Sequence, residues 1–184
     1  MLFRCLIIPA LAGCQGTSAS ERAPDPAVDE AAIVARDRAG TVVARVRPGH
    51  PCRATVESFD LQVGGPPLVA QHGDDRFTGE LAPNGLTLRK NDAPVARFYA
   101  RQLFDDQGIP LLRVLETGDI ADGASAIVRR ATAANNNVTV GDFTVTGTSD
   151  LVLAAMLTAR EASPEVRALI ACYLVLPSEP NRKF

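Results

Sequence analysis

The chain has 184 residues, of which 46% are hydrophobic, and its formal net charge at neutral pH is −2. This length supports one globular domain with its own core rather than two large domains. The 19 Lys and Arg residues are scattered among 21 Asp and Glu residues, so the sequence lacks the concentrated positive charge of a nucleic-acid-binding protein. We therefore expect no DNA or RNA partner.

Residues 1–13 have the order of a secretory signal peptide. One cation, Arg4, precedes an apolar run that ends in small residues. As a helix this run would measure about 20 Å, shorter than the roughly 30 Å hydrocarbon core of a bilayer, so it cannot be an ordinary spanning anchor. The alternative is an apolar N-terminal strand or helix of a cytosolic protein, and both the short charged region and Pro9 within the run keep this alternative open.

The residues Leu11-Ala12-Gly13-Cys14 resemble the lipobox of bacterial lipoproteins at all four positions. The resemblance covers only the first 14 residues. It implies that a diacylglyceryl group is attached to the Cys14 sulfur and that the chain is cleaved just before this residue. The thiol is the nucleophile that thioether formation needs. Two or more acyl chains would anchor the protein stably to a membrane, where one chain is marginal.

These features divide the chain into a signal peptide (1–13), a lipidated cysteine with a flexible tether (14–30), a single globular domain (31–177) and a tail (178–184). The tether is rich in Ser, Pro, Gly and charged residues and has no apolar periodicity, which is typical of a disordered linker. Gln15 follows Cys14, and in lipoproteins a residue other than Asp here resembles the default for transfer to the outer membrane. We expect an exported protein on the periplasmic side, with the outer membrane favoured over the inner one.

From about residue 31, short apolar alternations separated by turn residues predict a mainly β domain. Turn residues such as those at 37–40, 91–92 and 106–108 favour hairpins, so we expect an antiparallel meander or barrel-like sheet of about ten short strands. The predicted strands are 33–36, 41–47, 53–63 with a break near 57–58, 68–71, 76–80, 86–90, 95–104, 111–115, 126–130, 138–140 and 143–146.

Three arginines, Arg45, Arg97 and Arg113, are each flanked by apolar residues in a predicted strand that follows a turn. On a strand such an arginine faces away from its neighbours. One interpretation is a basic face that binds anions or lipid head groups. The alternative is the ordinary solvated outer face of hairpins whose inner faces build the core.

Two helices are predicted near the C-terminus. Ser149 or Asp150 can cap a helix at 151–157 that is apolar on every side and too short to span a bilayer, so we expect it to be buried in the domain. The residues 163–165 form a good start for a second helix, which Pro177 ends. We expect this second helix to be amphipathic, with its Arg167 side facing outward.

The predicted arrangement, many hairpins around one apolar helix, resembles in element order the tubby-like and scramblase-related barrels. In those barrels a hydrophobic C-terminal helix passes through a barrel of strands. The likeness covers 31–162 and includes no residue motif. It therefore implies a fold and no binding residues, and the second helix departs from that plan.

The sequence contains no recognisable catalytic or metal-binding motif, and we expect no cofactor and no metal. A hydrolase would depend on His50 or His72 as its base, because these are the only histidines. A zinc site built from both histidines with Cys52 and Cys172 matches no paired-ligand spacing. The acids at 119–122 are spaced differently from a calcium loop, so we interpret this segment as a turn.

The number of cysteines that remain after the expected processing predicts a disulfide. Cleavage removes Cys5 and lipidation uses Cys14, which leaves Cys52 and Cys172 in an oxidising compartment. A bridge between them would join the early strands to the last helix. The alternative is two buried thiols that behave as small hydrophobes.

Three functions remain open at this stage. We prefer a non-enzymatic binding or structural module, held at the membrane by the lipid on Cys14, whose partners are envelope proteins or lipid head groups. The second is a lipid- or anion-binding module that uses Arg45, Arg97 and Arg113 near the membrane surface. The third is a hydrolase that uses His50 or His72.

Overall fold

The computed structural model describes residues 32–65, 67–82 and 85–176. The predicted signal peptide, Cys14, the tether and the tail at 178–184 lie outside the described residues. In the described part, the prediction of a mainly β fold with a buried apolar helix is confirmed.

Fourteen strands of the described residues form one antiparallel sheet. They are β1 (Ile33–Arg36), β2 (Val42–Arg47), β3 (Cys52–Val56), β4 (Phe59–Val63), β5 (Leu68–His72), β6 (Asp75–Ala82), β7 (Gly85–Lys90), β8 (Ala93–Tyr99), β9 (Gln102–Asp105), β10 (Pro110–Val114), β11 (Asp119–Asp122), β12 (Ile127–Ala134), β13 (Asn137–Val140) and β14 (Phe143–Thr146).

The sheet is an up-and-down meander that nearly closes on itself. Each strand pairs with the next along the chain except β4 with β5, and β1 pairs with β14, with Val34 opposite Thr146. The strands β4 and β5 are therefore the two edges of the sheet, and they approach each other where the Gly64 amide donates a hydrogen bond to the Val69 carbonyl, at 2.9 Å. The result is a barrel-like wall whose inner positions are apolar, because side chains alternate between the two faces of each strand.

Two helices, α1 (Leu151–Leu157) and α2 (Pro164–Val175), fill the interior. The side chain of Asp150 caps α1 by accepting hydrogen bonds from the amides of Val152 and Leu153, at 2.8 and 3.1 Å. The helix α1 packs on β10, β12 and β13, and α2 packs on β2, β3, β4 and β8, so together they contact walls on different sides of the barrel. Neither described helix is long and apolar enough to cross a membrane.

The predicted outward orientation of Arg167 is wrong. Residues of α2 from Val166 to Tyr173 are all buried, and Arg167 itself is only 4% exposed. Its guanidinium forms an ion pair with Glu57 in the β3–β4 turn and donates a hydrogen bond to the Leu157 carbonyl. The helix lies inside the barrel rather than on it, and an ion pair makes the burial of this one charge tolerable.

The fourteen strands exceed the eleven predicted segments because 53–63 divides into β3 and β4 at its expected break and because of two errors. The predicted strand 95–104 is two strands, because Ala100 and Arg101 form a tight turn with φ angles of 48° and 65°. The residues at 119–122, which we interpreted as a turn, form β11 and pair with both β10 and β12. Both errors concern segments whose local sequence favours another structure and whose conformation is set by the neighbouring strands.

Candidate functional site

The barrel has two unlike ends. Because consecutive strands are antiparallel, alternate connections lie at the same end. We call one end the mouth end; its connections in the described residues are 48–51, 64–65, 100–101, 115–118, 135–136 and 147–150. Residue Ala32, where the described chain begins, also lies here, since the start of β1 pairs with the last residues of β14. The C-terminal end of α2 returns to this same end.

We call the other end the acidic end. Its connections are 37–41, 57–58, 73–74, 91–92, 106–109, 123–126, 141–142 and the α1–α2 connection 158–163. These connections carry seven carboxylates and two arginines, whereas the described connections of the mouth end carry two carboxylates and one arginine. The negative charge of the turns is therefore concentrated at one end of the molecule.

The acidic end is closed by the α1–α2 connection. Arg129 of β12 donates one hydrogen bond to the Thr158 carbonyl, at 2.9 Å, and two to the carboxylate of Glu161, at 2.7 and 2.8 Å. The guanidinium of Arg160 lies 5.2 Å from the centroid of the Phe143 ring. These contacts fix the connection across the end of the sheet, and both Glu161 oxygens accept charge-assisted hydrogen bonds from the same Arg129 nitrogen, Nη2.

The mouth end contains a cavity of about 620 Å³. Its apolar lining comes from α1, α2 and β8, and its polar lining comes from three connections of the mouth end. The lining residues are Phe98, Arg101, Glu116, Ser149, Asp150, Leu151, Val152 and Leu174. The lining is therefore a mixed surface, at least as polar as it is apolar, rather than an apolar pocket with polar groups only at its rim.

Arg101 is the cation of this lining. It is half-buried, and its side chain has no hydrogen bond or ion pair with any residue of the described chain, although its carbonyl accepts a hydrogen bond from the Val114 amide at 3.0 Å. It also holds a left-handed backbone conformation, with φ of 65°. Left-handed residues of this kind are ordinarily Gly, Asn or Asp.

The carboxylates near Arg101 are in different states. Asp150 is engaged as the cap of α1. Asp119 follows the connection that contains Glu116, and it accepts hydrogen bonds from the Nε of Arg130 and the hydroxyl of Thr117, at 2.7 and 2.8 Å. The Arg130 guanidinium lowers the pKa of Asp119 below its ordinary value. Glu116 is exposed to solvent and forms no contact of this kind in the described residues. Glu116 is therefore the uncompensated acid of the rim.

The structure joins Cys52 and Cys172 by a disulfide, with the sulfurs 2.02 Å apart and a sequence separation of 120. Cys52 begins β3 and Cys172 lies in the last turns of α2, so the bond ties the inner helix to the wall near the mouth end. Both residues are fully buried. With both sulfurs bonded to each other, neither is a ligand for the zinc set considered above.

The three arginines proposed as a basic face do not share one wall. All three lie at outward positions of their strands. Arg97 on β8 and Arg113 on β10 are two strands apart, whereas Arg45 on β2 is six strands away from Arg113 along the sheet. Any anion-binding surface built from these residues would consist of Arg97 and Arg113.

The two histidines lie at opposite ends of the barrel. His50 is exposed in the β2–β3 connection of the mouth end. His72 ends β5 at the acidic end, where its ring lies 4.3 Å from the Phe59 ring and its Nδ1 lies 3.1 Å from the Asp60 carbonyl oxygen. The residues that the structure describes contain no group of three or more His, Cys, Asp or Glu side chains suited to a metal ion.

Sequence reasoning did not identify Arg101 or the cavity. The available signal was the pair Ala100-Arg101 within an otherwise long strand pattern, but a turn of this kind is normally read from Asn or Gly. In comparisons with protein-family models, with curated proteins and with solved structures, nothing matches the chain. The proposals below therefore depend on the fold and on the cavity.

Proposed function

We propose that this chain is a bacterial lipoprotein, anchored in the cell envelope by a lipid on Cys14, whose barrel-like domain has a non-enzymatic binding role with the mouth end turned toward the membrane. The lipobox-like residues Leu11-Ala12-Gly13-Cys14 support the anchor, and the observation that carries the orientation is the position of Ala32, the first described residue after the tether. It lies at the end of the barrel that holds the cavity.

The length of the segment between Cys14 and Ala32 supports this orientation. Seventeen residues separate Cys14 from Ala32. Fully extended, a segment of this length reaches at most about 60 Å. A lipid on Cys14 would therefore hold the domain within this distance of the bilayer and would attach it at the mouth end, so that the acidic end is linked to the membrane only through the barrel.

The charge distribution supports it independently. The connections of the acidic end carry seven carboxylates and two arginines. Two of the carboxylates, Glu57 and Glu161, are paired with Arg167 and Arg129, so a smaller net negative charge remains. A negatively charged membrane surface repels such a cluster, and the repulsion acts over roughly 10 Å at moderate salt concentration. The nearly neutral mouth end meets no such repulsion.

Lipidation is tested by growing cells with labelled palmitate and comparing Cys14→Ser with the parent chain. Cys5→Ser is the matched control, since it removes a thiol from the same leader but not from the lipobox. We expect Cys14→Ser to lose both the label and membrane fractionation, and Cys5→Ser to keep both. A Cys14→Ser protein that still incorporates palmitate would refute the anchor.

Orientation is tested with two exposed apolar residues at opposite ends, Leu81 near the mouth end and Val42 near the acidic end, which are 44% and 38% exposed. Each is replaced by Cys in the full chain and labelled with a fluorophore. Lipids that carry a quencher should quench the label at position 81 more strongly than the label at position 42. Equal quenching, or the reverse order, would contradict the orientation.

A further inference from the structure

We propose that the mouth cavity binds an amphiphile that has an apolar body and one anionic group, and that Arg101 recognises the anion. The inference deepens the proposed binding role by naming a ligand class. It does not depend on the lipid anchor, because the residues that carry it all belong to the barrel.

The apolar part of the ligand is indicated by the floor of the cavity. Phe98 and Val152 are buried at its base, and Leu151 and Leu174 remain half-buried although they belong to the helices that fill the barrel. Partly exposed leucines on interior helices leave apolar area in contact with water. A bound chain or ring would remove that area from water, which is favourable. The volume of about 620 Å³ lies within the usual range for such sites.

The anionic part is indicated by Arg101. A guanidinium that is half-buried loses part of its hydration, and a partner of opposite charge restores the lost interaction. Asp150 also lines the cavity, but its carboxylate serves the amides of α1. Glu116 is exposed and keeps its hydration. Neither forms an ion pair with Arg101 within the described residues, so the guanidinium is available to an incoming carboxylate or phosphate.

The turn that carries Arg101 gives a second argument. Two other turns of the barrel have consecutive left-handed residues, Asn91-Asp92 and Asn135-Asn136. Both use side chains that tolerate this conformation. Ala100-Arg101 adopts the same conformation with residues that do not, and local rules of this kind are broken most often at functional sites. The position thus retains an arginine where a turn alone would favour asparagine or glycine.

The test uses the full chain carrying Cys14→Ser, so that no attached lipid competes for the cavity. A neutral aromatic dye reports on occupancy, and it is displaced by three compounds with the same twelve-carbon tail: dodecanoate, dodecanoyl glycerol and dodecyltrimethylammonium, all below micelle-forming concentrations. We expect dodecanoate to bind about tenfold more tightly than the neutral compound, and the cation to bind most weakly. Acetate, which has the charge without the apolar body, should not displace the dye.

Arg101→Asn is the decisive variant, because Asn removes the charge and accepts the left-handed backbone. It should lose the roughly tenfold preference for dodecanoate and bind the neutral compound as before. Arg113→Asn, on the outer wall two strands from Arg97, is the control and should keep the preference. Leu174→Trp, which fills the cavity, should weaken all three compounds alike.

Three results would overturn the proposal: no displacement by any of the compounds, equal affinity for dodecanoate and the neutral compound, or an unchanged preference in Arg101→Asn. Asn suits the left-handed turn, so we expect Arg101→Asn to fold normally. An unchanged preference for dodecanoate in the folded variant would therefore show that Arg101 does not recognise the anion. Failure of these experiments leaves the palmitate labelling of Cys14 unaffected, so the two proposals can fail separately.

Discussion

The two ends of the barrel are held together by different means. At the acidic end, the α1–α2 connection covers the interior; the ion pair Arg129–Glu161 fixes this connection to the wall, and the ion pair Glu57–Arg167 fixes the start of α2. At the mouth end, the disulfide between Cys52 and Cys172 ties α2 to β3, and no comparable cover lies over the cavity in the described residues. A covalent bond secures the helix without filling the space beside it. The mouth end can therefore stay open while the disulfide holds α2 against β3.

The largest effect is expected from removing the disulfide. The double variant Cys52→Ala/Cys172→Ala should lose about 2–5 kcal/mol of unfolding free energy, because the bond restrains a long loop in the unfolded chain. Alanine is chosen because a buried hydroxyl would add a separate penalty. Denaturant titration of the variant against the parent measures the loss. If the two unfold at the same denaturant concentration, the mouth end does not depend on the bond.

A smaller effect is expected at the acidic end from Glu57→Gln. This change leaves the Arg167 charge buried without its partner, so it should destabilise the protein by about 1–2 kcal/mol, a value reduced by the exposure of Glu57, whose side chain is 53% exposed.

Arg167→Met provides the matched comparison for that pair. It removes the buried charge instead and leaves Glu57 in contact with water, so it should cost less than about 1 kcal/mol or stabilise the protein. Thermal unfolding of both variants decides the order. A larger loss for Arg167→Met than for Glu57→Gln would mean that the guanidinium contributes mainly through its packing and its bond to Leu157.

The mouth-end turn should respond in the opposite direction. Ala100→Asn suits the left-handed backbone at that position and should raise the unfolding free energy by about 0.5–1 kcal/mol. Because it leaves Arg101 in place, it should not change the affinity for dodecanoate. The same substitution therefore separates the stability of the turn from the chemistry of its arginine. A loss of stability would show that Ala100 is held by contacts other than its backbone.

The smallest effect concerns Asp75 and Lys90 at the acidic end. The Nζ of Lys90 lies 2.7 Å from the Asp75 carboxylate, and this contact lowers the pKa of Asp75. A lowered pKa means that the pair contributes stability above the ordinary titration range of an aspartate and loses it as the pH falls through the folded pKa. In a carboxyl NMR titration, Lys90→Met should move the Asp75 midpoint upward. An unchanged midpoint would assign the shift to the neighbouring Asn91.

Much of the fold was accessible from local sequence, and the site was not. Strands such as β1 and β4 are bounded by turn residues, and their alternating apolar positions predicted them closely. The buried α1 followed from its lack of any polar face. The cavity could not be predicted in this way, since Phe98, Glu116 and Leu174 come from distant parts of the chain and meet only when the sheet curves around the helices.

The sequence by itself determined which segments alternate, where most turns fall and that α1 needs complete cover, and it predicted a bond between Cys52 and Cys172 beside the alternative of two buried thiols. Those features depend on residues close together in the chain or on residue type alone. Tertiary structure decided that α2 lies inside, that Arg167 is buried against Glu57, and that Ala100-Arg101 turns. Each of these depends on partners far away in sequence, whose contacts outweigh local preference.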